Sequence, residues 1–183
     1  GCIVVFALVT LVYFSPILEG KRLKQHDIEM FKGMSKEISD YREASGEQAL
    51  WTNSMFGGMP AWNISVNQNS NLMTFFNRIM NGGFPHPVGA VFIAMVGFFV
   101  LILVLGCNIG VSFVGALAYG FTSYLFIVIG AGHNSKAMAM AYMAPVIAGI
   151  ILTYRGKYLW GGILTALFMA FQILSNHLQM TYY

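Results

Sequence analysis

Beyond Glu47 this chain contains no carboxylate: all seven acidic residues fall between Glu19 and Glu47, and the rest is dominated by long apolar runs. Ionised groups are expelled from hydrocarbon, so acids confined in this way mark one polar compartment beside a membrane. With 57% hydrophobic and 9% charged residues, the chain lies far from the roughly 25% charged content of soluble domains. An integral membrane protein is the class these features leave. The net charge of +3 does not point to a nucleic-acid partner, because seven of the ten basic residues share one segment with the acids. Cys2 and Cys107 sit in or beside apolar runs with no partner spacing, so neither a disulfide framework nor a zinc site is indicated.

A helix rises about 1.5 Å per residue, so a hydrocarbon core of about 30 Å needs roughly 20 apolar residues. Residues 1–18, 87–105, 111–129, 137–154 and 159–176 meet or approach that length. The expected fold is an all-α membrane bundle of about five transmembrane helices, with a long outer loop carrying amphipathic helices after the first. Three regions follow: a first span at residues 1–18, a loop at 19–86 and four further spans over 87–183. The chain opens on Gly inside an apolar run and stops at Tyr182-Tyr183 without a polar tail, which reads as the N-terminal part of a longer protein.

The link Tyr154-Arg155-Gly156-Lys157 carries the clearest positive charge between spans, and the positive-inside rule assigns it to the cytoplasm. Alternation then puts residues 106–110 on the same side, and residues 19–86, 130–136 and the chain end outside. The basic residues of the long loop do not oppose this, since loops above about 60 residues translocate largely regardless of charge. His26, His86, His133 and His177 all fall on the outer side in this arrangement, together with Asp27, Glu29, Lys136 and Gln179.

Within the loop, Ile28, Phe31, Met34, Ile38 and Tyr41 recur at three- and four-residue steps, predicting one amphipathic helix over residues 28–44. Glu37, Asp40, Glu43 and Glu47 then read as its solvated face and end. After Ser45-Gly46, the segment from Leu50 to Trp62 is dense in Gly, Pro and aromatics and predicts a tight, aromatic-walled turn. Residues 63–71 read as solvent-facing loop, and residues 72–80 as a second interfacial helix.

Three constellations carry candidate chemistry. His26-Asp27-Ile28-Glu29 offers two carboxylates beside a histidine, able to hold a divalent metal such as Mg or Mn or to supply a general base. Joint action of Asp27 and Glu29 requires a non-helical backbone, because helical positions i and i+2 point about 200° apart; alternatively Asp27 N-caps a helix and Glu29 complements its positive end. His133-Asn134-Ser135-Lys136 can grip a phosphate through Lys136, the Ser135 hydroxyl and backbone N–H groups at a helix start, or it is an ordinary interfacial turn. Thr165, Gln172, Asn176, Gln179 and Tyr183 follow helical spacing with His177 adjacent, and read as a polar stripe facing either a watery cavity or a neighbouring helix.

The ordered set of His26-Asp27 with Glu29, the Phe56-Gly57-Gly58-Met59-Pro60 turn, Gly132-His133-Asn134-Ser135-Lys136 and the run from Asn176 to Tyr183 resembles YfhO-type bacterial membrane proteins. These are similar to the GT-C superfamily of lipid-sugar glycosyltransferases. The resemblance implies transfer of a sugar from a polyprenyl-phosphate carrier to a cell-envelope glycan or protein acceptor, on the outer side of the bacterial cytoplasmic membrane. Asp27 matches the essential acid of the first outer loop. Glu29 stands where the common motif has a second aspartate. Lys136, His133 and Ser135 would bind the lipid-carrier phosphate, with His26, His177, Gln179 and Asn176 in support. Two rivals are a transporter or lipid flippase, with the polar stripe lining its path, and a non-catalytic membrane scaffold with an outer docking loop.

Overall fold

The computed structural model describes residues 1–65 and 71–182; Tyr183 and residues 66–70 of the expected solvent loop lie outside the described residues. The chain is mostly helical, and among the described residues three helices are long and apolar enough to cross a membrane: Val88–Leu105, Ile109–Ala131 taken across a break, and Asn134–Tyr154. Two more, Cys2–Tyr13 and Tyr158–Leu174, are apolar but shorter. They stand where the first and fifth spans are expected.

The helices in chain order are α1 (Cys2–Tyr13), α2 (Ser15–Leu18), α3 (His26–Met34), α4 (Lys36–Ser45), α5 (Leu72–Met80), α6 (Val88–Leu105), α7 (Ile109–Gly120), α8 (Ser123–Ala131), α9 (Asn134–Tyr154), α10 (Tyr158–Leu174) and α11 (Leu178–Tyr182). Two compact units result, one of Gly1–Leu23 with Leu72–Tyr183 and one of Lys24–Asn71.

In the larger unit, α9 packs against both α6 and α10, and α6 also packs on α7 and α1. Small residues set these approaches. A Cβ at Gly97 would lie 2.6 Å from Cδ of Pro145, so the α6 backbone provides the notch that receives the proline ring inside α9. The core that forms between them holds Met95, Ala141, Tyr142 and Phe171, all fully buried.

The third span, expected as one helix, is broken. Thr122 adopts φ −64° and ψ 136°, which takes the backbone out of the helix between Gly120 and Ser123. The first span is shorter than expected because α1 stops at Tyr13 and Pro16 opens the separate turn α2; proline has no N–H to continue a helical ladder.

Two contacts orient the bundle. Arg155, after α9, donates to the carbonyls of Val104 and Leu105 at the end of α6. At the opposite end, the His86 side chain before α6 hydrogen-bonds that of Asn134 at the start of α9. The links at 106–110 and 154–157 therefore share one end, as the alternation of spans predicts, and His86 shares the other with the 130–136 turn. α10 runs antiparallel to α9, which brings its C-terminus and α11 to the His86 end as well.

Helix α5 is amphipathic: Met73 and Met80 pack on the core, while Leu72, Phe75 and Ile79 are exposed. This is the pattern of a helix lying along a membrane interface.

In the smaller unit the predicted single amphipathic helix is two, α3 and α4, parted at Ser35. The break lets Ile38 become fully buried while Phe31 and Tyr41 stay exposed. Gly46, at φ 74°, ends α4 in the left-handed conformation, where the Ser45-Gly46 signal predicts it. The aromatic turn forms as expected: β1 (Trp51–Thr52) pairs antiparallel with β2 (Met59–Pro60) in the register Trp51↔Pro60 and Thr52↔Met59.

Glu37 is not simply part of a solvated face. Its Oε2 accepts from the Thr52 hydroxyl, the Asn53 N–H at 3.1 Å and the Ser54 N–H at 2.9 Å. One carboxylate oxygen thus clasps the turn to α4, and these bonds, the Thr52 hydroxyl first, hold the Glu37 carboxyl below the ordinary glutamate range.

Candidate functional site

The polar end of the larger unit is built where α9 begins. Gly132 takes a left-handed φ of 104° and its carbonyl accepts from Asn134 N at 2.8 Å, while that of His133 accepts from Ala137 N at 3.0 Å. The Ser135 and Lys136 amides belong to the first turn, where donors have no carbonyl of their own helix to reach and the helix dipole is positive. Ser135 and His133 are exposed. The Lys136 ammonium lies 5.3 Å from the centre of the Tyr124 ring, in the first turn of α8, a cation–π contact that steadies the charge.

His86 reaches this turn from the start of α6 through Asn134. It keeps an exposed edge, yet protein atoms crowd the ring, and the lost hydration holds its imidazole below the ordinary histidine range against the opposing effect of the Asn134 bond.

The expected polar stripe on the last span does not continue as one face. α10 ends at Leu174, and Asn176 sits at a left-handed φ of 54°, so Asn176 and Gln179 belong to a different geometry from Thr165 and Gln172. Asn tolerates this backbone better than most side chains. His177 Nδ1 accepts from Met180 N at 3.3 Å, which orients the imidazole; a neutral ring accepting there carries its proton on Nε2, directed away from α11. Thr165 donates to its own Gly161 carbonyl at 2.8 Å and packs against α9; it serves helix packing.

Below the polar end lies a hydrogen-bonded cluster that sequence reasoning missed. The Tyr142 hydroxyl, on a fully buried residue of α9, donates to Oδ1 of Asn77 and lies 3.2 Å from Oδ1 of Asn81. Asn81 Nδ2 reaches Asn77 Oδ1 at 3.4 Å. This fastens α5 to the bundle through amides instead of charge. The available signal was the pair of asparagines four residues apart beside an apolar stripe, which one helix face brings together.

In the smaller unit, His26, Asp27 and Glu29 lie in the first turn of α3. The helical backbone sends the Asp27 and Glu29 carboxylates about 200° apart, so the two do not meet the condition for holding one ion. His26 and Glu29 are exposed and Asp27 is half-buried. No group of three candidate metal ligands occurs among the described residues. Asp27 and Glu29 therefore do not hold one Mg or Mn ion between them, and both complement the positive end of α3.

No protein-family model, curated protein or solved structure matches this chain. The functional reading rests on the residues themselves.

Proposed function

We propose that this chain serves a membrane glycosyltransferase that moves a sugar from a polyprenyl-phosphate carrier to a cell-envelope acceptor on the outer side of the bacterial cytoplasmic membrane. The observation that supports the reading is the grouping of His133, Ser135 and Lys136 at the start of α9, with His86 bonded to Asn134 of the same turn. A phosphate monoester leaving group develops negative charge as its bond to the sugar breaks, and a helix start with a cation in its first turn stabilises that charge.

In the proposed reaction the acceptor hydroxyl oxygen attacks the anomeric carbon as its proton passes to a carboxylate base, the role that the resemblance gives to Asp27 of the smaller unit. The bond from the anomeric carbon to the phosphate oxygen breaks, and polyprenyl phosphate departs with the electron pair, neutralised by Lys136, the Ser135 hydroxyl and His133. The Nε2 proton of His177, with Gln179 and Asn176, provides hydroxyl-directed hydrogen bonds at the same end. Glu29 and His26 share the first turn of α3 with Asp27 and are assigned supporting roles to it. No step passes through a metal.

The decisive measurement is transfer of radiolabelled sugar from polyprenyl-phosphate donors by the membrane-embedded protein. Asp27→Asn keeps size and helix-start compatibility while removing the base, so a rate at least a hundredfold lower is expected. Transfer by this variant at the wild-type rate sinks the proposal.

A second reading, a transporter or lipid flippase, draws support from the break at Phe121-Thr122, since discontinuous membrane helices recur where transporters bind substrate. Label crossing sealed vesicles without becoming covalently attached to an acceptor would favour it.

A further inference from the structure

The smaller unit contains an exposed indole that its surroundings hold rigidly. Trp51 is 56% exposed, yet β1–β2 pairing fixes its backbone, its Nε1 donates to Asn53 Oδ1 at 3.2 Å, and Gly58 lies against its ring. A Cβ at Gly58 would stand 2.7 Å from Nε1, and the φ of 119° there suits glycine alone. An aromatic side chain fixed in place and left in water is arranged for a face that arrives from outside the unit.

Trp51 forms one wall of a cleft of about 390 Å³, whose other walls include Tyr41, Glu37, Glu47 and Gln48. That volume falls within the roughly 300–1,000 Å³ of small-molecule sites. Tyr41, from α4, is 48% exposed. The Thr52-Asn53-Ser54 clasp runs through Oε2 of Glu37 and fixes this carboxylate at the wall of the cleft. Gln48 accepts from Arg42 through Oε1 at 3.1 Å, which fixes its amide and leaves its NH₂ to donate.

We infer that this cleft binds a neutral saccharide, with Trp51 and Tyr41 as stacking surfaces and Glu37, Glu47 and Gln48 as partners for its hydroxyls. The polarised C–H bonds on a pyranose face match the negative face of an aromatic ring. Fixed carboxylate and amide groups beside the rings suit the donors and acceptors at the sugar's edge. A lipid tail would strip water from Glu37 and Glu47 without replacing it. Anionic glycans meet two like charges. A basic peptide gains from the carboxylates but leaves the Gln48 donor and the adjacent Arg42 opposed. The site is separate from the residues proposed for transfer, and its occupancy can be read with no donor lipid present.

The test uses the whole chain in lipid nanodiscs, with saturation-transfer NMR and tryptophan fluorescence reporting titrations of chitotriose, trigalacturonate and trilysine. Chitotriose is expected to saturate the protein, Trp51→Ala to weaken it at least tenfold, and Tyr41→Ala to weaken it several-fold while leaving the Glu37 clasp intact. Trp51→Phe retains a stacking face and should fall between wild type and Trp51→Ala. The inference is overturned if chitotriose fails to bind the wild type, if neither Trp51→Ala nor Tyr41→Ala weakens it, or if trigalacturonate or trilysine binds as tightly.

Discussion

Gly149 of α9 and Gly161 of α10 exchange the same contact: a Cβ on Gly149 would lie 2.7 Å from the Thr165 backbone nitrogen, and one on Gly161 2.6 Å from that of Thr153. Each threonine hydroxyl bonds back to the glycine four residues earlier on its own helix, Thr153 to Gly149 at 3.0 Å and Thr165 to Gly161 at 2.8 Å. The hydroxyls are thereby satisfied while the backbones meet, which is how small and hydroxylated residues associate helices in lipid.

Alanine at either glycine pushes against backbone, which cannot rotate aside. Gly149→Ala and Gly161→Ala should each cost about 1–3 kcal/mol, the range for overpacking, and the double variant less than the sum because one crossing is opened once. Unfolding in mixed micelles gives the values. Both variants matching wild type would show that the two helices do not approach this closely.

The same antiparallel register brings Gln172, 4% exposed, level with Tyr142, and this part of the bundle depends on amides. Tyr142→Phe removes the hydroxyl that bonds Asn77 and lies beside Asn81 while keeping the ring against Phe168 and Phe171. A loss of about 1 kcal/mol follows from removing a hydrogen bond to half-buried partners. Hydrogen exchange should localise the loosening to α5, whereas an unchanged α5 would separate the helix from this bond.

In the smaller unit the Glu37 clasp makes stability depend on pH. The folded carboxyl has its pKa lowered, so the unfolded turn binds the proton more readily. Its stabilising contribution is present above the ordinary glutamate pKa and disappears as pH falls through the lower folded value. The protection of the Asn53 and Ser54 amides, relative to the intrinsic exchange rate at each pH, should therefore fall in acid, and Glu37→Gln should show low protection at neutral pH with little further change. Equal protection of those amides in the two proteins at neutral pH would contradict the clasp.

The overall class was legible because hydrocarbon imposes length and excludes charge, so runs such as 87–105 declare themselves without neighbours. Ser45-Gly46 likewise announced a helix end, since its stop is a local backbone property. What periodicity could not show was set by contacts distant in sequence or by single backbone angles. Ser35 interrupts a sound helical pattern, Thr122 breaks a run whose apolar residues continue on both sides of it, and Asn176 turns the chain where spacing alone continues a stripe. Glu37 looked like solvated surface because the donors that claim it lie at Thr52, Asn53 and Ser54. Of the candidate site, the turn at 132–136 and its shared end with His86 followed from alternating spans; the joint use of Asp27 and Glu29 did not survive the helical backbone of α3.

Sidedness of the bundle is open to a direct test through Cys107, which is exposed in the link after α6. Arg155, after α9, bonds the carbonyls at the end of α6 from which that link starts, and Lys157 adds a second positive charge nearby, the bias that retains a loop in the cytoplasm. Ser135 is exposed at the other end. A membrane-impermeant maleimide applied to intact cells should therefore label Ser135→Cys in a Cys2→Ser, Cys107→Ser background. Cys107 itself, in a Cys2→Ser background, should react only after permeabilisation. Labelling of Cys107 in intact cells together with protection of Ser135→Cys would invert the bundle, place Lys136 and His133 in the cytoplasm, and overturn the proposal of an outward-facing transfer site.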